Sequence, residues 1–195
     1  EHEEEDEEGD VRIELVQTRH DLQLAWTGPF EGIDELRFRG AWNDYRHEEI
    51  EGNGEIGTRF DNEAFEGRLE LLNAPVAGFS GAFGLQYEAR DVSAVGEEAF
   101  VVPVERDALA AFVYQARSLD RVRVDGARAE RVEQDPQGAG SESFDVFSLA
   151  GGAVWQAAPG LSVALQADLA GRAPELEELF SDGPHLATDT FEVGD

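Results

Sequence analysis

From Val16 onward, apolar and polar residues alternate with a period of two. Val16, Thr18, Leu22, Leu24 and Trp26 share one parity, while Gln17, Arg19, Asp21 and Gln23 take the other. Successive side chains of a strand point to opposite faces, so this alternation predicts a strand with one apolar and one wet face. Thr27-Gly28-Pro29 is expected to end it, because proline cannot donate to a sheet ladder. The next strand is predicted over Asp34 to Tyr45, with Leu36, Phe38 and Trp42 opposed to Glu35, Arg37, Arg39 and Asn43. A polar, glycine-bearing loop follows from Arg46 to Thr58, then a third strand over Phe60 to Leu72 and a turn at Asn73-Ala74-Pro75.

The fourth strand has the cleanest pattern. Phe79, Gly81, Phe83, Leu85, Tyr87 and Ala89 lie on one face, and Ser80, Ala82, Gly84, Gln86, Glu88 and Arg90 on the other. A loop is predicted from Asp91 to Val104. Strand five, Arg106 to Ala116, is apolar on both parities and gives no orientation. A short link at Ser118-Leu119 leads to strand six, Arg121 to Val132. There one phase puts Arg128 and Glu130 with the apolar side, and the other puts Arg123 and Asp125 there. A loop over Glu133 to Ser143, a seventh strand through Phe147, Leu149 and Trp155, a turn at Ala157-Ala158-Pro159-Gly160 and an eighth strand from Leu161 to Leu169 complete the pattern.

Four short turns thus alternate with four longer polar loops. Each strand is expected to run about 11 to 13 residues, against about 5–6 in soluble sheets. Membrane-barrel strands are long because they cross a tilted hydrocarbon layer, and such barrels carry short turns on one rim and long loops on the other. Trp26, Trp42, Tyr45, Tyr87 and Trp155 fall near strand ends, where amphipathic rings favour a membrane interface. The pattern predicts an all-β chain: an antiparallel up-and-down transmembrane β-barrel segment of about eight strands. A soluble acidic β-sandwich or barrel uses the same alternation and stays open at this point.

Charge narrows the partners. The 195 residues carry a formal charge of -28, and every basic residue is arginine. Such a chain repels phosphate backbones, so no nucleic-acid partner is expected; metal cations and cationic surfaces fit better. Without cysteine, disulfides and thiolate metal sites are excluded. No continuous apolar run approaches the ~20 residues of a membrane helix. No Ser-His-Asp order, phosphate-cradling glycine loop or HExxH pattern occurs, which predicts a non-enzymatic chain.

The stretch from Leu161 to Asp195 contains Arg172-Ala173-Pro174, Glu178-Leu179-Phe180 and Ser181-Asp182-Gly183-Pro184-His185. It resembles the barrel of TonB-dependent outer-membrane receptors, in which an Arg-Ala-Pro-x-x-x-Glu-Leu-Phe/Tyr segment leads from a strand into an extracellular loop. The Asp-Gly-Pro-His continuation, the segments from Glu51 to Glu70 and from Gly84 to Phe100, and the acidic opening resemble the zinc and metal-uptake branch. The resemblance implies a barrel of about 22 strands in the Gram-negative outer membrane, of which this chain would be a middle section without the plug domain. It implies outer-membrane lipid as surroundings and the inner-membrane energising TonB complex as a partner through the missing plug. The cargo would be a metal ion or small metal complex, with no cofactor required and zinc or another divalent cation possible as a bound ion. On this reading residues 1–15 form an acidic extracellular loop, 16–172 the eight strands, and 173–195 a further extracellular loop. A siderophore receptor, and a small closed eight-stranded barrel with an adhesive or structural role, are the alternatives.

Candidate ligands follow from donor chemistry. His2 with Glu3, Glu4, Glu5 and Asp6 joins imidazole to carboxylates, a set that suits zinc, although an acidic run by itself imposes no geometry. His47 opens the predicted second loop, and Asp182 and His185 lie in the last, on the same predicted rim. His20 has the apolar parity and is expected at the interface. Arg172 and Glu178 are read either as pocket residues or as residues that pair with other charges inside the barrel.

Overall fold

The computed structural model describes residues 11–96, 103–117, 127–136, 141–174, 178–179, 182–185 and 190–193. Eight strands follow in chain order: β1 (Arg12–Phe30), β2 (Ile33–Ile50), β3 (Ile56–Val76), β4 (Phe79–Gly96), β5 (Val104–Arg117), β6 (Ala127–Pro136), β7 (Glu142–Ala158) and β8 (Leu161–Leu169). Each pairs antiparallel with its sequence neighbours, giving one sheet in the order β1 to β8. Short β9 (Asp182–His185) and β10 (Thr190–Val193) form a separate two-stranded sheet. The all-β antiparallel meander agrees with the alternation in the sequence. The sheet is open, with β1 and β8 as edges that share no rungs, so the closed eight-stranded alternative is not the architecture formed.

The first four strands are longer than their hydrophobic patterns. β1 has 19 residues, β2 18, β3 21 and β4 18. The apolar parity stops at the aromatic residues, but the hydrogen-bond ladder continues through polar pairs, so periodicity of hydrophobicity underestimates strand length. β1 accordingly begins at Arg12, inside the segment expected as an acidic loop. It also runs past Gly28, which has φ 60 beside a register shift between Thr27 and Phe30. A bulge there absorbs Pro29, and the reversal comes at Glu31-Gly32. The loop expected at Arg46 to Thr58 contracts to residues 51–55, and the turn expected at Asn73-Ala74-Pro75 moves to Ala77-Gly78. Both residues of that turn have positive φ, 52 and 82, which matches the twist of a two-residue hairpin. β4 takes in Asp91 to Gly96 from the next expected loop. The Ser118-Leu119 link and the Arg121 start of strand six lie outside the described residues. The region expected as a single terminal loop contains the β9/β10 hairpin.

Register joins the single-strand patterns into continuous faces. Trp26, Leu36, Leu71, Phe83, Val113, Ala127, Leu149 and Leu169 stand opposite one another in successive rungs across all eight strands. The adjacent row holds Leu24, Phe38, Leu69, Leu85, Ala111, Ala129 and Phe147. These rows settle the two ambiguous strands. β5 puts Leu109, Ala111 and Val113 on the apolar face. The register of β6 puts Ala127, Ala129 and Arg131 in the rows of Val113, Ala111 and Leu109, the phase that contains Arg123 and Asp125. Those last two lie outside the described residues.

The apolar face has nothing packed on it among the described residues. Leu85 is 52% exposed, Trp26 57% and Leu165 75%. Among the described residues the buried apolar ones are small and few: Ala94, Val104, Ala108, Ala110 and Ala173. They sit on or against the opposite, polar face. There Ala173, after β8, packs on Ala108 with Phe144 and Val146 beside it. The backbone just before it is held by Ser148, whose Oγ accepts from Gly171 N at 3.2 Å and donates to Gly171 O at 3.2 Å. Transfer of one large aliphatic or aromatic side chain from water to an apolar medium contributes about 1.5–3 kcal/mol. A single-layer sheet collects little of that from its own packing.

Candidate functional site

The polar face is the chemically dense one. Its rows run Gln23–Arg39–Arg68–Gln86, then Asp21–Ala41–Glu66–Glu88, then Arg19–Asn43–Ala64–Arg90–Arg106. Two arginine pairs therefore stand directly opposed, Arg39 with Arg68 and Arg90 with Arg106, and a third like-charged pair, Glu66 with Glu88, lies between them. Directly opposed like charges destabilise a sheet, so compensation must come along the strands and on the diagonals.

Much of it does. Arg68 donates to Glu70 at 2.8 Å and to Gln86 at 3.1 Å, and its guanidinium lies 4.2 Å above the Phe112 ring. Gln86 donates in turn to Glu66 at 3.1 Å. Arg106 is mostly buried and reaches Glu88 at 2.6 Å, while Arg90 donates to Asn62 at 3.0 Å. Arg106 Nε is buried without a hydrogen-bond partner among the described residues. Arg19 holds Asp21 through both carboxylate oxygens at 2.9–3.2 Å, and Arg37 reaches Glu35 at 2.5 Å. Arg39 makes no ion pair or side-chain hydrogen bond among the described residues. It lines a cleft of about 240 Å³ with Arg19, Asp21, Gln23, Glu66 and Arg68.

Of the residues expected to bind metal, His47, Asp182 and His185 fall among the described residues. His2, Glu3, Glu4, Glu5 and Asp6 lie outside the described residues. His47 belongs to β2 rather than to a loop. Its ring stacks on Phe60 with centroids 4.3 Å apart, and its Nδ1 shares a hydrogen bond with the Tyr45 hydroxyl at 3.0 Å. One imidazole nitrogen is thus engaged within the sheet. Asp182 and His185 occupy the two ends of β9, opposite Val193 and Thr190. Among the described residues, no group of three or more histidine and carboxylate side chains converges to hold an ion. His20 stacks on Trp42 at 5.6 Å on the apolar face, in the row next to that of Tyr87.

Arg172 and Glu178 form a bidentate pair, Nη1 to Oε2 at 2.7 Å and Nη2 to Oε1 at 2.5 Å, with both side chains about half exposed or more. The fork ties the strand exit to the following segment. The arginines of the polar face were visible in the sequence only as the wet parity of their strands. Their opposition across rungs depends on register, which single-strand alternation does not supply. No family model matches the chain.

Proposed function

We propose that the chain is a β-barrel segment of an outer-membrane receptor of the TonB-dependent kind, whose cargo is a zinc-like metal ion or a small metal complex. On this reading the apolar face meets lipid and the polar face lines the lumen. The observation that carries it is the apolar row that runs in register through all eight strands, with large side chains of it and of the adjacent row exposed on β1, β3, β4, β5, β7 and β8 and nothing packed on them among the described residues. Soluble monomers rarely expose contiguous apolar patches larger than a few hundred Å². A bilayer supplies the apolar medium such a belt needs, and β1 to β4 and β7, of 17 to 21 residues, are long enough to cross it at a tilt with polar extensions beyond. The two open edges, β1 and β8, fit a larger barrel in which further strands pair with both.

Membership of a barrel of about 22 strands, dependence on the inner-membrane complex, and metal as cargo rest on the resemblance of the Arg172-to-His185 stretch and on the acidic, histidine-bearing opening. The protein acts by binding and passage rather than by catalysis. All three tryptophans test the membrane part directly, since Trp26, Trp42 and Trp155 share the apolar parity. The chain folded into vesicles with brominated acyl chains should lose most of its tryptophan emission relative to unbrominated vesicles. Unquenched emission, together with a monodisperse species in detergent-free buffer, would establish a soluble acidic β-protein instead.

A further inference from the structure

At its polar margin the apolar face has a cleft of about 360 Å³, open across β2 to β5 in the row of Ala89. Phe65 and then Trp42 stand on one side of Ala89 in that row, and Asp107 stands on the other. The small side chain between them leaves the space. The next row outward is Asp44–Glu63–Asp91–Glu105, four carboxylates directly opposed in successive rungs, and the last three border the cleft. Arg90 and Arg106 border it too, but by parity they belong to the polar face, where they reach Asn62 and Glu88. Trp42 Nε1 donates to Glu63 at 3.0 Å, and the Tyr87 hydroxyl donates to Asp107. Asp91 and Glu105 make no hydrogen bond or ion pair among the described residues, so a directly opposed like-charge pair stands uncompensated at the mouth.

We propose that this cleft binds an amphiphilic primary amine, its ammonium between Asp91 and Glu105 and its apolar stem against Phe65 and Trp42. Directly opposed side chains have Cβ atoms about 4.5–5.5 Å apart, so one ammonium can bond to both carboxylates. Asp107 adds negative field from the row nearer the belt, with its carboxylate fixed by Tyr87. Aromatic faces attract cations as well as stems. Carboxylates stand on one side of the cleft and the apolar rows begin on the other, which matches a cation joined to an apolar body. A bare metal ion matches less well. Calcium takes about six to eight oxygens, whereas among the described residues no three histidine or carboxylate groups converge to hold an ion. The volume is that of a small-molecule pocket, about 300–1,000 Å³. The site lies on the face opposite the proposed lumen, so it goes beyond the cargo and does not depend on it. Opposed carboxylates kept at a binding site are an exchange of stability for function.

Calorimetry with phenethylamine as the probe tests this, on the full chain in non-ionic detergent micelles at low and physiological salt. Wild type should bind the amine at both and should not bind phenethyl alcohol, its neutral analogue. Asp91→Asn/Glu105→Gln should weaken amine binding by about tenfold or more, while raising the unfolding midpoint because the opposed charges are gone. Ala89→Leu keeps every carboxylate but fills the cleft, so it should abolish binding, which separates the cleft from mere acidity. Glu14→Gln, at the exposed Arg12–Glu14 pair near the start of β1, should leave affinity unchanged. No amine binding by wild type, retained binding in Ala89→Leu, or equal weakening by Glu14→Gln would overturn the site. Phenethyl alcohol binding as tightly as the amine would overturn the need for a cation. Displacement of the amine by an equal concentration of calcium would overturn the choice of an organic one.

Discussion

The ring of Phe112 fills the space above Gly84. A Cβ at residue 84 would lie 2.1 Å from Phe112 Cζ and 2.2 Å from its Cε1. The two residues are register partners on the polar face, and the ring is held there under the guanidinium of Arg68. An apolar ring thus sits among charged rows because a missing side chain on the neighbouring strand makes room for it.

Gly84→Ala should therefore displace Phe112 and loosen its contact with Arg68. Overpacking of this kind costs about 1–3 kcal/mol. Urea unfolding in micelles should show the loss in Gly84→Ala and partial recovery in the Gly84→Ala/Phe112→Ala double variant, where the clash is gone. A neutral single variant would mean that the ring swings away freely and that the Arg68 contact contributes nothing.

Neighbouring residues of β4 should respond oppositely to charge. Phe83, Leu85 and Tyr87 belong to the exposed apolar rows, while Gln86, Glu88 and Arg90 belong to the polar ones. Leu85→Arg should cost about 2–4 kcal/mol in vesicles, as for arginine at the bilayer midplane. Gln86→Arg, one residue on, should cost far less. Cysteine labels at 83 and 85 should likewise be quenched by lipid-borne quenchers, and labels at 86 and 88 should not. Equal behaviour of the two parities would remove the lipid-facing assignment.

This contrast marks how far the sequence alone reaches. Alternation in β4 was regular enough to place every residue from Phe79 to Arg90 on its observed face. β5 was not, because Ala108, Ala110 and Phe112 make its polar-face parity as apolar as Leu109 and Val113 make the other. Its orientation becomes clear only when Ala110 is paired with Gln86 and Leu109 with Tyr87. The contribution of Ala173 to a small cluster on Ala108 was equally hidden, since it depends on the chain folding back beyond β8. His47 falls in an expected loop because hydrophobic alternation fades after Tyr45, whereas pairing of His47 with Leu15 and Phe60 keeps it in the ladder.

Acid should act on the extension of the sheet beyond the apolar belt. Burial pushes the Asp61 carboxyl upward, but hydrogen bonds from Arg59 at 2.8 Å and Arg46 at 2.6 Å outweigh it and hold the group below its ordinary value. The folded state then binds fewer protons than the unfolded state between the two values. The stabilisation is full above the unfolded value of about 3.9 and is lost as pH falls through the lower, folded one. Because the cluster is partly solvent-exposed, its contribution should stay below about 1 kcal/mol. Asp61→Asn should be less stable than wild type at neutral pH, and the gap should close as the solution is acidified below about pH 3.9. A gap that persists unchanged in strong acid would assign the effect to packing rather than charge.

Zinc binding, finally, should separate the histidines. His47 is stacked on Phe60 and bonded to Tyr45, so removing it should act on stability rather than on metal affinity. Aromatic pairs contribute about 0.5–1.5 kcal/mol beyond area burial, and His47→Ala should lower stability by an amount of that order. The acidic run at His2 and the strand ending in His185 carry the other candidate ligands. Replacing His2 and His185 together should weaken zinc binding to the intact receptor more than calcium binding, because calcium prefers oxygen ligands alone. Imidazole must be neutral to bind metal, so zinc affinity should also fall as pH drops through about 6.5. Calorimetry on wild type, the double variant and His47→Ala measures all three effects. Zinc affinity lost in His47→Ala but kept in the double variant would move the metal site into the β2 stack. Affinity unchanged in both would leave only general attraction of cations to an acidic chain.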